Sequence, residues 1–164
     1  MTDRRSPDRD RRAGTVSRPA APAVDRRDLG FLLAKAAQRW NELLAERFAA
    51  AGFADVRPAY GSVLLPLFEE DGLRLGELGR RARLSKQTMT EMVRRLERDG
   101  LVERGPDPAD GRASLVFLTA RSRDFEPVAA AVLADLDHLV RARLDADSVD
   151  ALGAALRELA RLGE

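Results

Sequence analysis

The stretch from Leu75 to Thr119 constrains the fold of this chain more than any other. It opens with a short apolar-periodic segment, Leu75 to Ala82, that places Leu75, Leu78 and Ala82 on one side. Arg83, Leu84 and Ser85 then leave room only for a tight turn. Ser85 is well suited to cap a following helix, because its hydroxyl can accept a first-turn N–H. That helix is predicted over Lys86 to Asp99, and Gly100 suits its left-handed C-terminal cap. Two helices joined by so short a turn cannot pack parallel and must cross steeply, as in a helix-turn-helix. Leu101–Arg104 and Ser114–Thr119 then read as two short strands. The connector between them, residues 105–113, is rich in turn formers and carries an Asp-Gly pair, so a long-tipped hairpin is expected.

The flanking sequence is helical. Leu29, Leu32, Leu33, Ala36, Trp40, Leu43, Leu44 and Phe48 recur at three- and four-residue steps, predicting a helix from Asp28 to Ala51 with one apolar face. Gly52 suits its end. A second helix is predicted from Pro58 to Glu70, with Pro58 in the first turn and Gly72 as the stop. Two more close the chain, near Ser122–Leu144 and Asp147–Leu162. Residues 1–27 are Arg, Asp, Pro, Ala and Ser, with hardly a large apolar side chain. Such a segment buries too little to offset its ordering entropy, so it is expected to be disordered.

Charge is distributed unevenly along the 164 residues, although the net charge is only +1. Arg74 to Arg123 carries twelve basic and seven acidic side chains, while residues 1–27 are net +4 and the remainder is acidic. A locally basic middle is what a module facing phosphates needs. There is no cysteine, which excludes disulfides and thiolate metal sites. His138 is the only histidine and reads as a surface or interface residue. No metal or cofactor site, phosphate loop or catalytic triad stands out, so an enzyme is not expected. No apolar run approaches the roughly 20 residues of a membrane span, and the expected compartment is the cytoplasm.

With about 100° per residue, Met89, Met92, Val93 and Leu96 point inward on the Lys86–Asp99 helix. Gln87, Thr90, Glu91, Arg94 and Arg98 then form the outer face, with Lys86, Thr88 and Arg95 flanking. These side chains can hydrogen-bond base edges and phosphates in a major groove. Arg112, in the hairpin connector, could reach a minor groove. An outer face of charges also occurs on plain solvated helices, and winged helices also serve as protein–protein interaction modules. Retention on duplex DNA at low salt separates that alternative from DNA binding.

Leu75-Gly-Glu-Leu, Leu84 through Arg104, Asp107-Pro-Ala-Asp-Gly-Arg112 and Leu118-Thr119 together resemble the MarR family of bacterial transcriptional regulators. The resemblance implies a mainly α fold with a small β-hairpin wing: a winged helix-turn-helix lobe (58–119) plus N- and C-terminal helices (28–57 and 120–164) that form a dimerisation region. It implies a homodimer on a pseudo-palindromic operator of double-stranded DNA, most often as a repressor. Ser85, Lys86, Gln87, Thr88, Thr90, Glu91, Arg94, Arg95 and Arg98 map to the reading helix, and Asp110 and Arg112 to the wing, where Asp110 would orient Arg112 through an ion pair. Many members are released by small aromatic or phenolic effectors; Trp40, Tyr60 and Phe68 are the candidate pocket walls here. Two departures stand out. Glu91 sits where many relatives carry a basic or small residue, and is expected to position a neighbouring side chain. Arg121-Ser122-Arg123 follows Leu118-Thr119, where a glycine is often found.

Overall fold

The computed structural model describes residues 27–162, apart from the side chains of residues 111 and 112; the expectation of a disordered tail falls outside the described residues. Helix α1 (Leu29–Ala50) begins at Asp28, whose carboxylate accepts the N–H of Gly30 at 2.8 Å and of Phe31 at 3.3 Å. Gly52, at φ +90°, turns the chain out of it. In place of the single helix predicted from Pro58, a 3-10 turn (Pro58–Tyr60) leads into α2 (Gly61–Glu69). The helix-turn-helix follows as α3 (Leu75–Arg81) and α4 (Lys86–Arg98). Helices α5 (Ala120–Arg141) and α6 (Ala146–Leu159) close the chain.

The wing differs from the expected two-stranded hairpin. Leu73–Arg74 forms a short strand, β1, so the sheet has three strands in the order β1-β3-β2, all antiparallel. A two-residue strand shows no alternation in sequence, which is why the pattern hid it. Strands β2 (Val102–Asp107) and β3 (Asp110–Leu118) also run much further toward the tip than expected. Gly105 and Pro106 read as turn residues, yet β2 is an edge strand, where proline's missing N–H costs no ladder bond. A register shift between Pro106 and Asp107 brings the strands to the two-residue tip, Pro108-Ala109.

The core lies among α2, α3, α4, β3 and the first half of α5. Val63, Leu78, Met89, Val93, Leu96 and Leu101 are fully buried, which agrees with the inward face assigned to α4. Phe125 anchors α5 against α1, packed edge-on to Phe48 with ring centroids 4.9 Å apart. Helix α5 starts two residues earlier than expected, at a Thr119 cap that receives the Ser122 N–H at 3.3 Å. The Arg121-Ser122-Arg123 departure has a structural use. Ser122 is buried and donates its hydroxyl to the Leu101 carbonyl, while Arg121 reaches Asp55 and Arg123 reaches Asp71 at 2.8 Å.

Among the described residues, the outer helices keep large apolar side chains exposed. Only Leu44 and Phe48 of α1 are buried, and Leu29 and Leu32 are more than half exposed. Helix α6 buries no residue at all, and its stripe residues Leu152 and Leu156 stand 43% and 45% exposed. Among the described residues, no helix is long and apolar enough to cross a membrane.

Candidate nucleic-acid interface

Local chemistry fixes the geometry of α4. Ser85 Oγ accepts the Thr88 N–H at 3.1 Å and shares a 2.8 Å bond with the Thr88 hydroxyl. Thr88 is thus committed to the cap. The turn before it is tight: Arg83 sits at φ +52°, and Leu84 N–H donates to the Gly79 carbonyl at 2.9 Å. A side chain at Gly79 would press on the Leu84 carbonyl at 3.2 Å. That close approach sets the crossing of α3 and α4.

Lys86, Gln87, Thr88, Glu91, Arg94, Arg95 and Arg98, assigned to the outer face of α4 and its flanks, are all exposed. Lys86, Gln87, Thr90, Glu91 and Arg94 line one shallow groove. Thr90 is half-buried, and its hydroxyl donates to the Lys86 carbonyl at 2.7 Å, so it has a local partner already. Glu91 accepts from Arg95 Nε at 3.1 Å. The acid therefore holds a neighbouring guanidinium, as expected for a positioning role. Among the described residues, no carboxylate pairs with Lys86, Arg94 or Arg98, whereas Arg80 and Arg81 on α3 are bound to Glu77. Positive charge left unneutralised on an exposed helix face is suited to an anionic polymer.

The wing is braced at its base by a pair that sequence reasoning missed. Arg74 of β1 grips Asp107 of β2 through Nε at 2.6 Å and through its terminal nitrogen at 2.5 Å. Asp107 is buried, and its second oxygen accepts the Ala109 N–H at 2.8 Å, closing the tip. The two residues lie 33 positions apart, and only the strand β1 brings them together. Asp110 opens β3, but the expected Asp110–Arg112 ion pair depends on the Arg112 side chain, which lies outside the described residues.

The Ala109 N–H first, and Arg74 second, hold the Asp107 carboxyl below its ordinary pKa. Its contribution to the wing is therefore complete above the ordinary aspartate range and is lost as pH falls through the lowered value. Amide exchange in β2 and β3 should accelerate on acidification before the helical core opens. Asp107→Asn should show the loosened wing already at neutral pH; unchanged wing protection in that variant would contradict the bracing role.

Trp40, Tyr60 and Phe68 do not converge. Trp40 and Phe68 share the wall of an apolar cavity of about 290 Å³ between α1, α2 and α5, lined also by Leu44, Phe48 and Phe125. Tyr60 turns the other way. It is buried with its hydroxyl donated to Asp99 at 2.5 Å, at the C-terminal end of α4. Burial and that bond push its pKa up. His138 is exposed, and the described residues include no group of three or more His, Cys, Asp or Glu able to hold a metal ion.

A crossed helix pair with a capped, polar-faced second helix and a three-stranded wing defines a winged helix-turn-helix protein. The sequence profile of the MarR family matches residues 58–114. TtmR of Methylorubrum extorquens, an HTH-type transcriptional regulator, is 44% identical over 61 residues, covering 37% of this chain and 31% of the relative. The PcaV transcriptional regulator of Streptomyces coelicolor, solved in complex with its natural ligand, superposes with a TM-score of 0.73 at 28% identity over 88% of this chain and 100% of that one. A point mutant of MarR from E. coli, complexed with operator DNA, superposes with a TM-score of 0.69 at 28% identity over 80% of this chain and 92% of that one. Residues 58–114 of the chain are thus similar to the MarR family, and its fold is that of the MarR-family regulators. Its matches span 31% and 58% of the lengths of the curated relatives that come first.

Proposed function

We propose that this chain is a transcriptional regulator of the cytoplasm that binds a pseudo-palindromic operator in double-stranded DNA as a homodimer and represses there. The observation that carries this reading is the exposed, unneutralised cationic face of α4, held rigid by the Ser85 cap and flanked by a braced wing. In this reading Gln87, Arg94 and Arg98 contact bases and phosphates, Glu91 orients Arg95, and Ser85 with Thr88 fixes the start of the helix. Asp110 and Arg112 belong to the wing's contact with the minor groove. Residues 58–119 form the DNA-binding lobe.

Residues 28–57 and 120–164 form the dimerisation region, because the open stripes of α1 and α6 find no cover within one protomer. A two-fold dimer presents two reading helices to half-sites about one helical turn apart. The cavity walled by Trp40 and Phe68 lies between these helices and the lobe and is the candidate site for a small aromatic effector. Co-crystallised relatives support both contacts, one with operator DNA and one with its ligand.

The test is residue-specific. Arg94→Ala should weaken operator binding by roughly 1–3 kcal/mol and relax the base preference at one position of each half-site. Fluorescence anisotropy against operators substituted one position at a time would read both effects. Equal loss on every duplex would assign Arg94 to phosphate contact; no loss on any would overturn the reading face.

A further inference from the structure

Arg83 holds a backbone conformation that an arginine disfavours. It sits in the turn between α3 and α4 at φ +52°, in the left-handed region that glycine and asparagine occupy at less cost. The turn around it is fixed. Its own N–H donates to the Arg80 carbonyl at 3.2 Å, and the Leu84 N–H closes on the Gly79 carbonyl at 2.9 Å. Ser85, the cap of α4, lies two residues further on. The Arg83 side chain therefore projects from a rigid point at the start of the reading helix.

That side chain reaches the far end of the sequence. Its guanidinium donates to the Ala160 carbonyl at 2.7 Å, 77 positions away. Ala160 is the C-terminal cap of α6, where the last carbonyls lack partners within the helix and a cation is favoured. Helix α6 packs against α5 and buries no residue in its own protomer, so in the dimer it moves with the dimerisation region. Helix α5 joins the lobe at α2 and β3. A lobe held there alone can rock about that joint. A second attachment, on the helix-turn-helix itself, resists the rocking.

We infer that Arg83 is a positioning residue: it ties the helix-turn-helix to the end of α6, and so fixes the half-site spacing that the dimer accepts in an operator. The inference rests on the dimeric, DNA-binding reading above. One base pair inserted between half-sites moves one of them by about 3.4 Å and turns it by about 34°. A dimer with tied lobes must distort the DNA to follow, whereas loosened lobes follow it themselves. An exposed charged hydrogen bond contributes about threefold, and a two-fold dimer has two of them, so together they hold about tenfold of spacing preference.

The probe is a duplex that the wild type selects from a random pool, with versions one base pair longer and one base pair shorter at its centre. Fluorescence anisotropy on the full chain reads the affinity for each. Arg83→Gly and Arg83→Asn both accept the left-handed turn but are too short to reach Ala160, so neither should lower the urea midpoint. Both should bind the selected duplex as the wild type does, while the preference for it over the longer and shorter versions falls about tenfold. Arg83→Lys keeps a cationic donor and should keep most of that preference. A second readout needs no DNA. The chain has no cysteine, and the space around Gly76 on α3 is open, so Gly76→Cys gives one spin-label site per protomer. The distance between the two labels of a dimer should be narrowly distributed, and Arg83→Gly should broaden it.

An unchanged spacing preference in Arg83→Gly and Arg83→Asn overturns the inference. So does an equal loss of affinity on all three duplexes, which would make Arg83 a phosphate contact. A wild type that selects no duplex overturns the DNA-binding reading instead, and the label distances then decide the tie: an unbroadened distribution in Arg83→Gly removes it. A wild type that gives no distance between labels is a monomer and overturns both.

Discussion

The double substitution Leu152→Asp with Leu156→Asp should convert the protein to a monomer at micromolar concentration and lower its affinity for an operator by about 100- to 10,000-fold. The two leucines lie one turn apart on α6 and are nearly half exposed in a protomer. Covering the exposed half of one such side chain contributes about 0.7–1.3 kcal/mol, and in a two-fold interface each residue counts twice. The pair therefore carries about 3–5 kcal/mol of association, before the cost of burying carboxylates is added. Because α6 buries no residue within its own protomer, the fold itself should survive. Gel filtration separates monomer from dimer, and circular dichroism confirms that helix content is kept. A variant that stays dimeric would place the interface on other residues. A monomer that keeps full operator affinity would remove the need for two reading helices.

Leu96→Ala should be the most damaging single substitution on the reading helix, although Leu96 faces away from the groove. Leu96 is fully buried beneath α4, among Met89, Val93 and Leu101. Removing a leucine side chain from such a site costs about 2–5 kcal/mol, a large part of the roughly 5–15 kcal/mol that holds a domain folded. The urea midpoint should fall accordingly, and DNA binding should weaken only as far as the folded fraction does. Arg94→Ala is the complement: exposed, it should leave the urea midpoint in place while weakening operator binding. If both variants changed stability alike, the division of α4 into a packed face and a reading face would fail.

That division was legible in the sequence because it depends on local rules. The Ser85 cap, the Gly100 stop and the inward set Met89, Met92, Val93 and Leu96, of which Met92 is only partly buried, each follow from neighbours within a turn or two. The helical span of α6 was legible for the same reason. Features that depend on distant parts of the chain were not. Strand β1 is too short to show a period, and without it nothing links Arg74 to Asp107. Pro106 looks like a strand breaker until β2 proves to be an edge strand. Tyr60 shares an aromatic character with Trp40 and Phe68, but it ends the 3-10 turn before α2 and points to Asp99. Arg83 carries no motif for its tie; only the fold brings the end of α6 to it.

The most direct measurement is retention of the folded dimer on generic duplex DNA as salt is raised. The expected result is binding at low salt, with the logarithm of affinity falling linearly as the logarithm of salt concentration rises, and a tighter, base-dependent mode on its operator. A folded dimer that passes over duplex DNA unretained at low salt would contradict DNA binding and point to a protein partner for the cationic face of α4.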